Sequence, residues 1–260
     1  MDSRVKVLLI LVIVLACVLA YALTPDDFTI TLKKIDLSGL SADTVAVADT
    51  VAVEEPDTVK KVDDRPQTIF FFGDSMVEGL MRRFGDYAGH NGHELDVVCW
   101  YSSTSDKWAN TGTLEYYIDK YSPTFIVACL CGNELFVRDL PQREKHIQKI
   151  ISIIDTIPFV WVSPPNWRDD TGINDLIIKH VGKERYFDSR HLELARGKDH
   201  VHPTFSAAAV WMDTIAVWMG SMETAHPIKM EKPTEKHKPT RRTFLPPDYK
   251  GAGENTTPKK

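Results

Sequence analysis

The chain has 260 residues, enough for one or two domains. Hydrophobic residues make up 43%, charged residues 26% and aromatic residues 10%, which excludes a wholly disordered polymer. The 31 basic and 36 acidic residues leave a net charge of -5, against a broad nucleic-acid-binding surface, and four cysteines exclude a dense disulfide framework. All six tryptophans lie between residues 66 and 225, so one domain of that extent is expected.

Residues 1–23 read as a membrane-targeting element. An unbroken apolar run of 17 residues at 7–23 follows Arg4 and Lys6 and precedes Asp26 and Asp27. It spans roughly 25 Å as a helix, and the flanking charges place the N-terminus in the cytoplasm and the rest outside. A retained anchor is the preferred reading. Cleavage at Ala20-Tyr21-Ala22 and a poor lipobox ending at Cys17 are the alternatives. Residues 24–65 carry ten acidic and five basic residues and read as an acidic, extended linker. Asp43-Thr44-Val45, Asp49-Thr50-Val51 and Asp57-Thr58-Val59 within it resemble an acceptor motif for periplasmic O-glycosylation in some bacteria.

From there strand and helix signals alternate. Apolar runs at 67–72, 94–100, 124–131 and 159–163 predict buried strands, with a weaker fifth at 185–188. Helical stretches are expected at 77–87, 113–121, 142–156 and 205–219. In the third, Ile147, Ile150, Ile151 and Ile154 make one apolar face. Such alternation predicts a parallel sheet covered by helices on both faces, with its chemistry at the carboxyl ends of the strands. Residues 226–260, with nine basic residues, four acidic residues and six prolines, read as a disordered tail.

The polar motifs fall at those strand ends. Phe72-Gly73-Asp74-Ser75 puts a serine at a strand-to-helix turn, where free backbone N–H groups can stabilise an oxyanion. Gly73 permits a sharp turn and Asp74 can cap the helix. Asp199-His200-Val201-His202-Pro203-Thr204 places a carboxylate three residues before an imidazole, the pairing that activates a serine. The same residues also suit a helix start capped by Thr204. Asn133, in Cys131-Gly132-Asn133-Glu134, can donate an amide hydrogen bond, and Tyr101-Ser102-Ser103-Thr104 can offer a backbone N–H. The loop from Ser163 to Asp175 carries Asn166 and Trp167, which are candidates to meet substrate together with Gly132. His90 and His93 read as surface residues, and the strand cysteines as buried free thiols.

These blocks resemble the SGNH (GDSL-type) hydrolases, in the order Phe72-Gly73-Asp74-Ser75, Ser102-Ser103, Gly132-Asn133-Glu134 and Asp199 to His202. The resemblance implies a three-layer α/β/α flavodoxin-like fold over 66–225. It implies Ser75 as nucleophile, His202 as general base then acid, and Asp199 as its orienting partner. The oxyanion hole would be the N–H groups of Ser75 and Ser103 and the Asn133 side chain. Ser103 stands where the family has Gly, Cys131 where the third block often begins with Gly, and Glu134 where Asp is frequent. No cofactor or metal is expected.

The expected function is removal of O-acyl groups, chiefly O-acetyl, from a cell-envelope glycan by a domain held outside the bacterial inner membrane. O-acetyl transfer beside a membrane-bound O-acyltransferase is the near alternative. A catalytically silent glycan-binding domain is the alternative from another class.

Overall fold

The structure, a computed structural model, describes residues 60–254. The expected anchor at 1–23 and the Asp-Thr-Val repeats lie outside the described residues. Among the described residues no helix is long and apolar enough to cross a membrane.

Six strands, β1 (Thr68–Gly73), β2 (Glu94–Trp100), β3 (Phe125–Cys129), β4 (Phe159–Val162), β5 (Tyr186–Phe187) and β6 (Arg241–Leu245), form one all-parallel sheet. Their spatial order is β5-β4-β3-β1-β2-β6. The helices are α1 (Met76–His90), α2 (Ser105–Asn110), α3 (Thr113–Tyr121), α4 (Leu140–Ile154), α5 (Ile173–Val181) and α6 (Phe205–Met219). The architecture is consistent with a flavodoxin-like α/β sandwich. Successive strand side chains point to opposite faces, so the apolar runs feed two cores. Ile69, Phe71, Val97, Val127 and Val160 pack with α1 and α6. Phe70, Phe72, Val98, Ile126 and Trp161 pack with α2, α3, α4 and α5. The sheet therefore has helices on both faces, as the alternation of signals predicts.

Several expectations need correction. Helix α4 stops at Ile154, because Asp155 turns to φ 54°. The stretch expected to be loop as far as Asp175 becomes α5 from Ile173 onward, after Gly172 at φ 106°. His93 is buried: its Nδ1 accepts from the Gln67 N–H at 3.1 Å and its Nε2 meets the Lys229 carbonyl at 2.7 Å.

The largest corrections concern the domain boundaries. The linker was expected to run to 65, yet Asp63 bridges Ile228, with its N–H on the Pro227 carbonyl and its carbonyl receiving the Lys229 N–H. The tail was expected to be disordered from 226, yet Ile228 and Met230 enter the α1/α6 core and β6 pairs with β2 along the sheet edge. Charge drives part of this docking. Asp96 on β2 is fully buried and receives both Arg241 Nε and Nη2, at 2.5 and 2.6 Å. The Trp100 indole donates to the Pro246 carbonyl at 3.1 Å, and the Tyr249 ring meets Trp100 edge-on at 5.1 Å. Gly85 and Gly89 on α1 allow the chain to pass over that helix. A Cβ at Gly85 would stand 2.7 Å from Pro239, and one at Gly89 would run into the His237 ring.

Candidate functional site

Parallel strands end on one side, so the loops after β1, β2, β3 and β5 share that side. The order reverses between β1 and β3, the switch point where open sheets of this type form a crevice. Ser75 follows β1 at the N-terminal boundary of α1, where its side chain makes no capping bond. The turn is tight enough to require Gly73, since a Cβ there would run into the Cys129 carbonyl on β3.

The Ser75 hydroxyl lies 2.7 Å from His202 Nε2. On the far side of the ring, Nδ1 lies 2.7 Å from Asp199 Oδ2. Asp199 Oδ1 also accepts the N–H groups of Val201 at 2.9 Å and His202 at 3.0 Å. These bonds, the Val201 N–H first, hold the Asp199 carboxyl well below the usual carboxylate range. An ionised Asp199 can only accept, so Nδ1 carries the proton and Nε2 is left to accept from Ser75.

The loop that carries this pair is closed on itself. Arg196 pairs with Pro203, the Gly197 N–H reaches the His202 carbonyl at 2.8 Å and the Thr204 N–H reaches Ala195 at 2.9 Å. Thr204 then caps α6 through the Ala207 N–H at 3.2 Å, so the capping expectation holds beside the pairing of Asp199 with His202. Arg196, which sequence reasoning missed, fastens the loop to the one after β4. Its guanidinium donates to the carbonyls of Val201, Pro165 and Asn166. An arginine whose hydrogen bonds all go to backbone carbonyls leaves no pairing signal in the sequence.

Asp74 is buried beneath the serine. Its Oδ1 accepts the Met76 N–H at 3.0 Å, capping α1 as expected, and its Oδ2 accepts the Gly132 N–H at 2.9 Å. Burial pushes its carboxyl up to about 6 against the pull of those two N–H groups. Gly132 is thereby tied to Asp74 rather than offered to a substrate, and a Cβ there would stand 3.0 Å from Asp74 Oδ2.

The oxyanion side differs from expectation. The Ser103 N–H donates to the Trp100 carbonyl at 3.1 Å, in a turn that puts Ser102 at φ 56°, and the Ser103 hydroxyl accepts the Trp108 indole N–H at 2.9 Å. The Ser103 N–H is therefore taken and is not offered to an oxyanion. Exposed Asn133 gives one amide proton to the Ser103 carbonyl at 2.9 Å, which joins the loops after β2 and β3 and leaves the second amide proton for an acceptor. Glu134 reinforces the junction by accepting from the Ser105 N–H at 2.6 Å and from its hydroxyl at 2.9 Å.

Asn166 and Trp167 are not among the residues that line the cleft at Ser75. The Asn166 amide bonds Asp170 at 2.8 Å inside its own loop, and Trp167 meets Phe136 edge-on at 5.8 Å. The cleft at Ser75 holds about 100 Å³ and is bounded instead by Glu78, Gly79, His202, Phe205 and Trp211. Cys99, Cys129 and Cys131 are free, buried thiols, each pushed up by burial, Cys99 to about 12. Among the described residues no cluster of His, Cys, Asp and Glu is arranged to hold a metal ion.

No protein-family model and no curated protein matches this sequence.

Proposed function

We propose that the chain is a serine esterase of the SGNH type that removes O-acyl groups, chiefly O-acetyl groups, from a cell-envelope glycan. The observation that carries this reading is the continuous path from the Ser75 hydroxyl through His202 to Asp199, with 2.7 Å at each link. A serine hydroxyl beside a helix start needs neither partner for folding, since α1 is already capped by Asp74.

In the first step the Ser75 oxygen bonds to the acyl carbon while its proton moves to His202 Nε2. The imidazolium is held between Ser75 and the Asp199 carboxylate. The Ser75 N–H at the start of α1 and the free Asn133 amide proton supply the donors for the oxyanion. The bond from the acyl carbon to the sugar oxygen then breaks, and His202 returns the proton to that oxygen. Water then gives a proton to His202 as its oxygen bonds to the acyl carbon. The bond from that carbon to Ser75 Oγ breaks, and His202 returns the proton to Ser75 as the carboxylic acid departs.

The side chains of His202 and Asp199 are 41% and 51% exposed, and the cleft is shallow, which supports water as the acceptor. Transfer to a sugar hydroxyl, in company with a membrane-bound O-acyltransferase, uses the same acyl-serine. Attachment to the inner membrane, with the domain outside, rests on residues 1–23. A fluorophosphonate probe tests the reading: one equivalent should attach to Ser75 in the native protein and none after denaturation. Native protein that stays unlabelled, or labelling spread over other serines, would place the chain among the silent glycan binders.

A further inference from the structure

A second cleft of about 430 Å³ adjoins the one at Ser75, and Gly79 and Phe205 form part of both. It runs between α1 and the segment from Lys236 to Arg242. Along α1, Gly79, Arg82 and Asp86 follow Ser75 at four, seven and eleven residues, a spacing that lines one helix face. At 1.5 Å per residue, Arg82 lies roughly 10 Å along the axis from the serine.

The charges of this cleft do not cancel. Arg83 pairs with Asp213 at 2.7 Å and with Asp86 at 3.3 Å, and Lys236 pairs with Asp86 at 2.9 Å. Two cations and two carboxylates balance there. Arg82, Lys238 and Arg242 remain, all exposed and with no ion pair among the described residues. The Arg82 guanidinium sits over the half-exposed Phe205 ring, its central carbon 4.1 Å from the ring centroid, at the seam between the two clefts. Arg242 stands opposite Val97, on the sheet face that α1 covers. The chain as a whole is acidic, so the three cations without an ion pair give this cleft a local field opposite in sign to the net charge, while Glu78 lines the adjoining cleft at the serine.

We propose that this cleft binds the anionic groups of a glycan, carboxylate or phosphate, while the neighbouring acyl ester lies against Ser75. The substrate class is then an acylated polyanionic glycan. This deepens the esterase reading and rests on it for the word substrate, whereas binding of the polyanion is measured without catalysis.

The test uses the full-length protein in neutral detergent, with Ser75→Ala to prevent turnover, and isothermal titration with four ligands. These are an oligogalacturonate, a poly(glycerol phosphate), a neutral xylo-oligosaccharide and a single-stranded DNA. Binding of the oligogalacturonate or the phosphate polymer, weakened by salt, is expected, and which of the two binds identifies the anion. The pair Lys238→Glu and Arg242→Glu should raise Kd about tenfold or more, since two attractions become repulsions. The matched pair Lys145→Glu and Lys183→Glu, on exposed lysines away from this cleft, should change it less than about twofold. Equal binding of the neutral oligosaccharide, equal loss in both charge-reversed pairs, no binding at all or preference for DNA would each overturn the proposal. A serine that labels with fluorophosphonate in a protein that binds neither polyanion would overturn this proposal alone. A polyanion bound by a protein whose Ser75 never labels would overturn the esterase reading alone.

Discussion

The loop at 195–204 and the segment at 226–254 are both largely irregular, and they are held in opposite ways. The first is held mostly by its own bonds, which join Gly197 to His202, Thr204 to Ala195, and Asp199 to Val201 and His202, while Arg196 ties it to the loop after β4 and His202 meets Ser75. The second is held by groups far away in the chain. His93 meets Lys229 across 136 positions, Asn91 meets Glu231 across 140 and Arg241 meets Asp96 across 145. A device built from neighbours keeps its geometry as a unit, whereas one built from distant partners depends on the rest of the fold.

The sharpest way to break the comparison is to remove the distant device. Ending the chain after residue 225 strips β6 from β2, uncovers Trp100 and leaves Asp96 buried without a partner. Loss of cooperative thermal unfolding is expected, read by circular dichroism and limited proteolysis. A truncated protein that melts like the full chain would show that the segment only decorates the domain.

On the side of the site, Asn133→Ala removes the amide that links the two loops and that the proposed mechanism uses as an oxyanion donor. A fall in kcat of about 10²–10³ with little change in KM is expected on small acetyl esters. A change in KM alone would mean that Asn133 holds the substrate and does not stabilise the transition state.

Arg241→Ala leaves the buried Asp96 carboxylate unpaired and should destabilise the protein by about 3 kcal/mol in urea denaturation. The serine and its partners lie outside this ion pair, so kcat of the protein that remains folded should change little. Unaltered stability would show that β6 is held by its backbone pairing alone.

This contrast also explains what the sequence disclosed. Ser75, Asp199 and His202 were legible because each sits at a strand end or within three residues of its partner. The alternation of apolar runs likewise revealed five of the six strands. β6 was hidden because Arg241-Arg242-Thr243 reads as solvated charge until Asp96 is known to be its partner. Ser103 misled for another reason: the direction of its N–H follows from the left-handed turn at Ser102, which composition does not encode. Asn166 and Gly132 were expected to face substrate, but their polar groups are taken up by Asp170 and Asp74.

An effect of similar size is expected with pH. Asp74 is neighbouring in sequence to the serine but is tied to the loop after β3, so it belongs to both kinds of device. Its carboxyl, pushed up to about 6 from an ordinary 3.8, binds its proton more tightly in the folded state. Its contribution to stability is therefore full below about pH 4, falls as pH rises towards 6 and is constant above. The difference in unfolding free energy between the native protein and Asp74→Asn should shrink by about 3 kcal/mol across that window. Parallel curves for the two proteins would contradict the assignment.

If Ser75, activated by His202, forms an acyl-enzyme, mass spectrometry of the full-length protein quenched in acid during turnover of p-nitrophenyl acetate should capture it. One acetyl group on the peptide containing Ser75 is expected in the native protein, and none in Ser75→Ala or His202→Ala, whose hydrolysis should fall to the background rate. Acetyl on another residue, or undiminished hydrolysis by Ser75→Ala, would contradict it.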